Sequence, residues 1–147
     1  MKKTSDFIFT GISYHTLDEK NRLFLPNKYR SGTKKYVLTC GIDNCIVIYS
    51  YNQWQQAVKR IETISIKNKT YQRAFVRNFF AEAEVVEIDI QGRILIHKKF
   101  KEKYHLNNEV VLVGNRDKLE LWSKEEWEKY YNKTSRIIRK IKTQIDI

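Results

Sequence analysis

Two short blocks of the chain place an aspartate four residues before an arginine, at Asp18–Arg22 and at Asp89–Arg93. A carboxylate at this spacing can cap a tight turn and pair with the guanidinium, which would fix a hairpin. The same turn can instead present the arginine at an edge of the protein. There its rigid fork can bond O6 and N7 of a guanine in the major groove of DNA. The residues alone leave both interpretations open.

The surroundings of the two arginines differ in charge. Three further cations lie close to the first block, at Lys20, Lys28 and Arg30. Cations of this kind suit phosphate contacts, which supply affinity without sequence information. The second block has acidic flanks, Glu84 and Glu87. We therefore predict Arg22 as the main base-reading residue and Arg93 as the second, with the three cations on phosphates.

Patterns for catalysis or metal binding are missing from the sequence. It contains no P-loop, no Rossmann glycine pattern and no H-E-x-x-H motif. The histidines, His15, His97 and His105, have no evident nucleophile or ligand partner in sequence. Cys40 and Cys45 lack the second pair of ligands that a zinc site needs. We expect a protein that is not an enzyme and that holds no metal or cofactor.

Charge is the strongest signal of the composition. The 147 residues carry a formal net charge of +11, and 41% of them are hydrophobic, enough for a core. Residues 1–80 account for +9 and residues 81–147 for +2. Such an excess is typical of proteins that bind nucleic acid or an acidic membrane surface, and also of a lysine-rich background.

No apolar run approaches the roughly 20 residues that span a bilayer, and residues 7–9 are too short for a signal-peptide core. We expect a cytoplasmic protein with no membrane partner.

The chain contains an internal repeat. Asp18–Tyr29 corresponds to Asp89–Phe100 at an offset of 71, and Ile46–Trp54 corresponds to Leu119–Trp127 at an offset of 73. Two copies of one unit of roughly 50 residues therefore explain the chain better than one continuous domain. We expect copy one, which carries most of the charge, to face DNA, and copy two mainly to complete the fold.

Each copy predicts four strands followed by a helix. The predicted strands are 14–17, 22–25, 36–39 and 45–49 in copy one, and 85–88, 93–96, 110–113 and 119–122 in copy two. Asn21 and Gly92 are residue types that tolerate the left-handed backbone of tight turns. Ser50 and Ser123 are the predicted N-caps of the two helices, and Pro26 is predicted to end a strand and open a short helical turn.

Two further helices are predicted outside this pattern. One covers 70–83 between the copies, where Arg73 and Arg77 face either a neighbouring subunit or solvent. The other is a basic amphipathic tail over 133–147, suited to its own protein, a neighbour or nucleic acid. A four-strand unit of this size cannot bury both faces of its sheet alone. We therefore predict a mainly β fold with α-helices (α+β), in which the copies pair about a pseudo-two-fold axis in one barrel-like core.

The sequence resembles the MraZ family, bacterial transcriptional regulators built from two tandem AbrB-like (SpoVT-AbrB) swapped-hairpin domains. The resemblance covers roughly residues 9–130. It rests on HTLDEKNRLFLPNKYR at 15–30, VLTCGIDNCIVIY at 37–49, RAFVRNFFAEAEVVEIDIQGRILI at 73–96, EVVLVG at 109–114 and KLELWSKEEWEKY at 118–130. We therefore expect AbrB-like repeats over 9–61 and 84–131, a connecting helix over 62–83, and a basic C-terminal helix over 132–147. Asn21 stands where the family usually has glycine, and His97 where it usually has proline.

The resemblance implies a function and an assembly. MraZ-like proteins form closed rings whose subunits contact direct repeats in the promoter of the division and cell-wall operon, so double-stranded DNA and the nucleoid are the implied partner and location. One alternative is an antitoxin-like protein-binding module of the AbrB fold, although such antitoxins commonly carry one unit and an acidic tail. A second alternative is an RNA- or nucleotide-processing enzyme on a small β-barrel, with Asp18 in its chemistry.

Overall fold

The computed structural model describes residues 8–30 and 32–147. The start of the chain, considered above as a signal peptide, lies outside the described residues. The strands are β1 (Ile12–Thr16), β2 (Arg22–Phe24), β3 (Lys35–Cys40), β4 (Ile46–Ser50), β5 (Glu84–Glu87), β6 (Arg93–Leu95), β7 (Glu109–Asn115) and β8 (Lys118–Ser123). The helices are α1 (Tyr51–Glu62), α2 (Lys69–Glu82), α3 (Lys98–Lys103) and α4 (Lys124–Ile141), with 3-10 turns at Asn27–Tyr29 and Lys142–Gln144. All predicted strands are confirmed, with ends that differ by at most two residues.

The two copies exchange strands in a six-stranded sheet of order β1-β7-β8-β4-β3-β5. The hairpin β3–β4 of copy one receives β5 from copy two, and the hairpin β7–β8 of copy two receives β1 from copy one. All of these pairs are antiparallel, and β4 against β8 joins the two halves. Exchanging the copies reproduces the same order from the other end. The predicted swapped hairpins and their pseudo-two-fold relation are therefore confirmed.

A separate two-stranded ribbon pairs β2 of copy one with β6 of copy two. The register sets Arg22 opposite Leu95, Leu23 opposite Ile94, and Phe24 opposite Arg93. Because side chains alternate along a strand, the central pair of the ribbon points to one face and the two outer pairs point to the other. Leu23 and Ile94 are fully buried, so the face with the two arginines is the outer one.

The ribbon and the sheet enclose one apolar core. Its buried members come from both copies and include Leu23, Leu25, Ile94 and Ile96 near the ribbon, and Leu38, Ile48, Leu112 and Leu121 from the sheet. Burial of a branched aliphatic side chain contributes roughly 1.5–3 kcal/mol relative to exposure. Neither copy can complete this core alone, because each contributes only one strand of the ribbon.

The helices bury other side chains of the sheet in two smaller clusters. One contains Val111 and Trp122 with Trp127 of α4. The other contains Val47 and Tyr49 of β4, with α1 and α2 packed against them. The predicted caps are confirmed. The Ser50 hydroxyl accepts a hydrogen bond from the Gln53 backbone N–H, and the Ser123 hydroxyl accepts one from the Glu126 backbone N–H. The 3-10 turn after Pro26 also forms where the sequence predicted it.

The basic tail differs from its prediction in one respect. It is not a separate helix over 132–147 but the second half of α4, which runs unbroken from Lys124 to Ile141. No glycine or proline stands between Trp127 and Ile141 to end the helix earlier. Ile137, Ile138 and Ile141 are 38–50% exposed on it. Among the described residues, no helix is both long and apolar enough to cross a bilayer.

A buried hydroxyl fastens α2 to the sheet. Thr39 of β3 is fully buried, and its Oγ1 donates to the Phe79 carbonyl at 2.6 Å. Phe79 lies in the last turn of α2, where carbonyls lack partners within the helix. The Trp54 ring of α1 stacks on the Phe79 ring at a centroid distance of 5.4 Å. One hydrogen bond therefore holds the end of α2 in the cluster that covers β4.

We expect Thr39→Val to lower the free energy of unfolding by about 1–3 kcal/mol, because it keeps the shape but leaves a buried carbonyl unbonded. Urea denaturation followed by circular dichroism measures the change. Thr33→Val is the control, since the Thr33 hydroxyl bonds the Lys35 carbonyl at an exposed position. We expect that control to stay within about 0.5 kcal/mol of wild type. Equal losses in both variants would contradict a special role for Thr39.

Candidate nucleic-acid interface

The first Asp–Arg block forms a compact turn between β1 and β2. One carboxylate oxygen of Asp18 accepts from the backbone N–H groups of Lys20 at 2.9 Å and of Arg22 at 2.8 Å. The other oxygen accepts from Nε of Arg22 at 2.7 Å. Asn21 adopts the left-handed conformation at φ 60°, as its residue type predicted. The carboxylate thus fixes both the backbone of the turn and the direction of the guanidinium.

The second block repeats this construction between β5 and β6. Asp89 accepts from the backbone N–H of Arg93 at 2.9 Å and from its Nε at 2.8 Å. Gly92 takes the left-handed position with φ 83°. The ion pair across the turn, one of the two interpretations that the sequence left open, therefore forms in both copies. It is compatible with a further role for each arginine, because the contact to its own aspartate uses Nε and leaves the outer nitrogens of the fork.

The β2–β6 ribbon brings the two turns onto one surface. Nη1 of Arg93 lies 3.7 Å from the Asp18 carboxylate of the other copy. The side chains of Arg22 and Arg93 are 30% and 27% exposed, so both are partly buried and still reach solvent. Among the residues that the structure describes, Arg93 contacts two carboxylates and Arg22 contacts one. The guanidinium of Arg22 is therefore the less neutralised of the two.

Hydrogen bonds keep both aspartates ionised to lower pH than usual. Partial desolvation alone would raise the pKa of Asp18, but the bonds from Arg22 and Lys20 outweigh it, and the pKa lies below its ordinary value. The pKa of Asp89 is also lowered, chiefly by the Arg93 backbone N–H, against a smaller opposing effect of desolvation. The turns therefore keep their negative caps at neutral pH.

Arg30 joins the surface that carries Arg22 and Arg93, here called the arginine surface, from the segment that follows β2. Its Nε donates to the Leu25 carbonyl at 2.8 Å, and its guanidinium carbon lies 5.1 Å from the centre of the Phe24 ring. The guanidinium also covers Gly92, where an added Cβ would lie 2.0 Å from Nη2 of Arg30. Gly92 is thus favoured by its positive φ, and a side chain there would displace the Arg30 guanidinium of the other copy.

Lys101 is a cation of this surface that the sequence analysis missed. Its Nζ donates to Oδ1 of Asn21 at 2.7 Å. Lys101 stands 71 residues after Arg30, so the repeat offset could have identified it as the counterpart of Arg30. Each turn is therefore covered by a cation from the other copy. Both copies contribute equally to the ribbon, which differs from the expected division into a DNA-facing copy one and a structural copy two.

The remaining predicted cations lie in different places. Lys20 is exposed within the first turn. Lys28 packs near the segment before β1 instead, with Nζ 4.8 Å from the centre of the Tyr29 ring and 3.1 Å from where a Cβ on Gly11 would stand. The structure thus brings Lys20 and Arg30 to the arginine surface, and places Lys28 beside Tyr29. Arg73 and Arg77 lie away from it, in a groove lined by Ile61 of α1 and Val76 of α2.

One histidine has a partner that sequence reasoning did not find. Nε2 of His15 lies 2.7 Å from Oγ of Ser13, because residues two apart in β1 share a face. Burial, and next the positive charge of Lys28, lower the pKa of His15. Within residues 8–30 and 32–147, no carboxylate bonds its other ring nitrogen. The hydrogen bond satisfies two half-buried polar groups.

The lowered pKa values of the two aspartates predict an acid-dependent stability. A carboxyl whose folded pKa is depressed stabilises the fold above its unfolded pKa of about 3.9, and that contribution is lost as the pH falls through the folded value. We expect the double variant Asp18→Asn, Asp89→Asn to lose less stability than wild type between about pH 5 and pH 2.5. Urea denaturation at the two pH values measures this. Asp146→Asn, in the segment after α4, is the control, and parallel losses in wild type and the double variant would contradict the prediction.

Comparison with known proteins gives an independent view of the whole chain. The family model described as "MraZ protein, putative antitoxin-like" matches residues 8–78 and again residues 79–146. A protein named transcriptional regulator MraZ from Thermoanaerobacter sp. (strain X514) is 39% identical over 137 residues, which are 92% of this chain and 95% of that protein. Proteins of the same name from Acetivibrio thermocellus and Clostridium botulinum are each 40% identical over 124 residues. Those alignments cover 84% of this chain and 86% or 87% of the relative.

The two matches of the family model agree with the two copies of the strand arrangement in the structure. The family model matches twice, once in each half of the chain, and the structure has two copies of one strand arrangement. The relatives align with most of their own length, so the similarity is not confined to one copy. From this repeated match, and from relatives near 40% identity, we conclude that the chain belongs to the MraZ family.

Proposed function

We propose that this protein is a sequence-specific transcriptional regulator that binds double-stranded promoter DNA through the outer face of the β2–β6 ribbon. The observation that supports this most strongly is the pair of arginines, Arg22 and Arg93, held on one exposed face by the carboxylates of their own turns. The names of its relatives, transcriptional regulator MraZ, point the same way.

The geometry of the ribbon suits the major groove of DNA. That groove is about 12 Å wide and admits a two-stranded β-ribbon. A guanidinium held at Nε by a carboxylate is already ordered, so less side-chain entropy is lost when it binds a base. Its outer nitrogens then form the fork that matches O6 and N7 of guanine. We assign this contact to Arg22 first, because one carboxylate neutralises it and two neutralise Arg93.

The surrounding cations would contact phosphates. Arg30 and Lys20 lie beside the arginine surface, and Lys101 adds a cation to them. Lys28 lies beside the Tyr29 ring, away from the arginine surface. We propose that it contacts the DNA phosphate backbone at the edge of the interface. Each phosphate contact would release counterions, so binding should weaken as salt rises.

We further propose a ring of subunits on direct repeats in the promoter of the division and cell-wall operon, and an association with the nucleoid. Both come from the family resemblance. A ring joined head to tail would make each further DNA contact effectively intramolecular. Avidity would then compensate for the small surface that one ribbon offers to DNA.

The antitoxin-like alternative has one specific support, which is the wording of the family description. Its expected acidic, disordered tail differs from α4, a helix whose second half carries Lys133, Arg136, Arg139 and Lys140 and no acidic residue. We therefore favour the regulator. Stoichiometric co-purification with a partner protein, without specific DNA binding, would favour the alternative.

Arg22→Ala tests the assignment of the base-reading residue. We expect it to weaken the free energy of binding to the DNA upstream of the protein's own gene, called here the upstream DNA, by about 1–3 kcal/mol. That is the typical discrimination of one bidentate contact. Fluorescence anisotropy at matched salt, with scrambled DNA as reference, measures the change. Arg60→Ala is the matched control, because Arg60 is also an exposed arginine paired with an aspartate, Asp117, but it lies on α1.

Two results would contradict the proposal at different levels. If Arg22→Ala binds the upstream DNA as tightly as wild type, the assignment of Arg22 is wrong. If wild type shows no preference for its upstream DNA over scrambled DNA, the proposed function is wrong. Lys20→Ala should instead weaken binding to both duplexes alike and reduce the slope against salt by about 1.

The proposed ring predicts a discrete assembly in solution. Sedimentation velocity or native mass spectrometry should find one closed oligomer, whose mass does not grow with protein concentration. A monomer at micromolar concentration would remove the argument from avidity and contradict the ring. An open series of increasing masses would contradict closure.

A further inference from the structure

The outer face of the ribbon carries two large apolar side chains besides the arginines. Phe24 of β2 is 46% exposed and Leu95 of β6 is 42% exposed. Their neighbours in the strands, Leu23 and Ile94, are fully buried, so Phe24 and Leu95 point away from the core on the side of Arg22 and Arg93. They occupy equivalent positions of the two copies, 71 residues apart.

The register places each apolar side chain directly beside one arginine. Leu95 is the cross-strand partner of Arg22, and Phe24 is the partner of Arg93. Directly opposite residues of an antiparallel pair have Cβ atoms about 4.5–5.5 Å apart. The face therefore has four corners, with the arginines on one diagonal and the apolar groups on the other.

The Phe24 ring is also held in position. The Arg30 guanidinium lies 5.1 Å from its centre, and Nε of Arg30 is fixed by the Leu25 carbonyl. A cation over an aromatic ring is attracted by the negative face of the ring. The ring remains nearly half exposed even with this cover. It therefore presents an ordered apolar surface next to Arg93, in place of a freely moving side chain.

We propose that Leu95 and Phe24 are specificity-determining residues that contact the C5-methyl groups of thymines next to the guanines read by Arg22 and Arg93. The inference rests on the proposed function. Within the major groove, the thymine methyl is the group that offers an apolar contact, and side chains such as phenylalanine meet it there. The site would then combine guanine with adjacent thymine, and the repeat would supply this pair of contacts twice.

Replacing thymine by uracil tests the inference whatever the exact order of bases in the DNA site. Uracil lacks the methyl group and keeps the hydrogen-bonding edges of thymine. The upstream duplex is prepared with either base throughout, and its dissociation constant is compared for wild type, Phe24→Ala and Leu95→Ala. Ile42→Ala is the matched control, since Ile42 is 93% exposed in the turn between β3 and β4.

We expect wild type to bind the uracil duplex about fourfold more weakly for each methyl contacted, the effect of one buried methyl-sized group. Phe24→Ala and Leu95→Ala should each bind the thymine duplex more weakly than wild type. Each variant should also show a ratio between the two duplexes that is about fourfold smaller than that of wild type. Ile42→Ala should keep the wild-type ratio.

The outcomes separate this inference from the function on which it rests. If wild type binds both duplexes equally while still preferring its upstream sequence, the methyl contacts are wrong and the regulator stands. If Phe24→Ala and Leu95→Ala keep the wild-type ratio, the two residues are not the readers of the methyl groups. If wild type prefers neither duplex over scrambled DNA, the inference and the proposed function fail together.

Discussion

The pairing of β2 with β6 is the contact on which the rest of this structure depends. Each strand has three residues, and they come from copies 71 positions apart in the chain. The central pair, Leu23 and Ile94, enters the shared core, and the outer pairs form the arginine surface. A single register therefore sets both the closure of the core and the arrangement of the proposed DNA-binding groups. A shift by one residue would turn the arginines inward and the aliphatic side chains outward.

The Asp–Arg turns make this short ribbon possible. A ribbon of three residues per strand is weak by itself, because isolated two-stranded hairpins are marginally stable in water. The carboxylates of Asp18 and Asp89 bond the backbone at the start of each strand and fix its direction. The same carboxylates order the guanidinium groups. Structure and proposed function therefore share these residues, which is why the two interpretations of the motif are not exclusive.

Much of this arrangement could be predicted from the sequence, because local residue patterns and the internal repeat indicate it. The strands, the helix caps and the left-handed positions of Asn21 and Gly92 follow from residue types within a few positions. Strand exchange is expected from the resemblance to a known family, whereas the individual registers are contacts between distant segments that no local pattern encodes. The hydrogen bond from Lys101 to Asn21 joins residues 80 positions apart, so no local pattern predicts this contact, although the repeat offset marks Lys101 as the counterpart of Arg30. The unbroken α4 escapes it because the composition changes in the tail and suggests a boundary, although no residue there ends a helix.

The fold shows which cations of the unequally charged copies lie together. The positive excess lies mostly in copy one, but the arginine surface is assembled from both copies. Arg30 of copy one lies against Gly92 of copy two, and Lys101 of copy two bonds Asn21 of copy one. We propose that this surface enters the major groove and reads guanine. Dimethyl sulfate interference on the upstream duplex tests it most directly, because the reagent methylates guanine N7 in the major groove and adenine N3 in the minor groove. If the arginines read guanine, methylation of particular guanines prevents binding, whereas interference confined to adenine N3 would contradict major-groove reading.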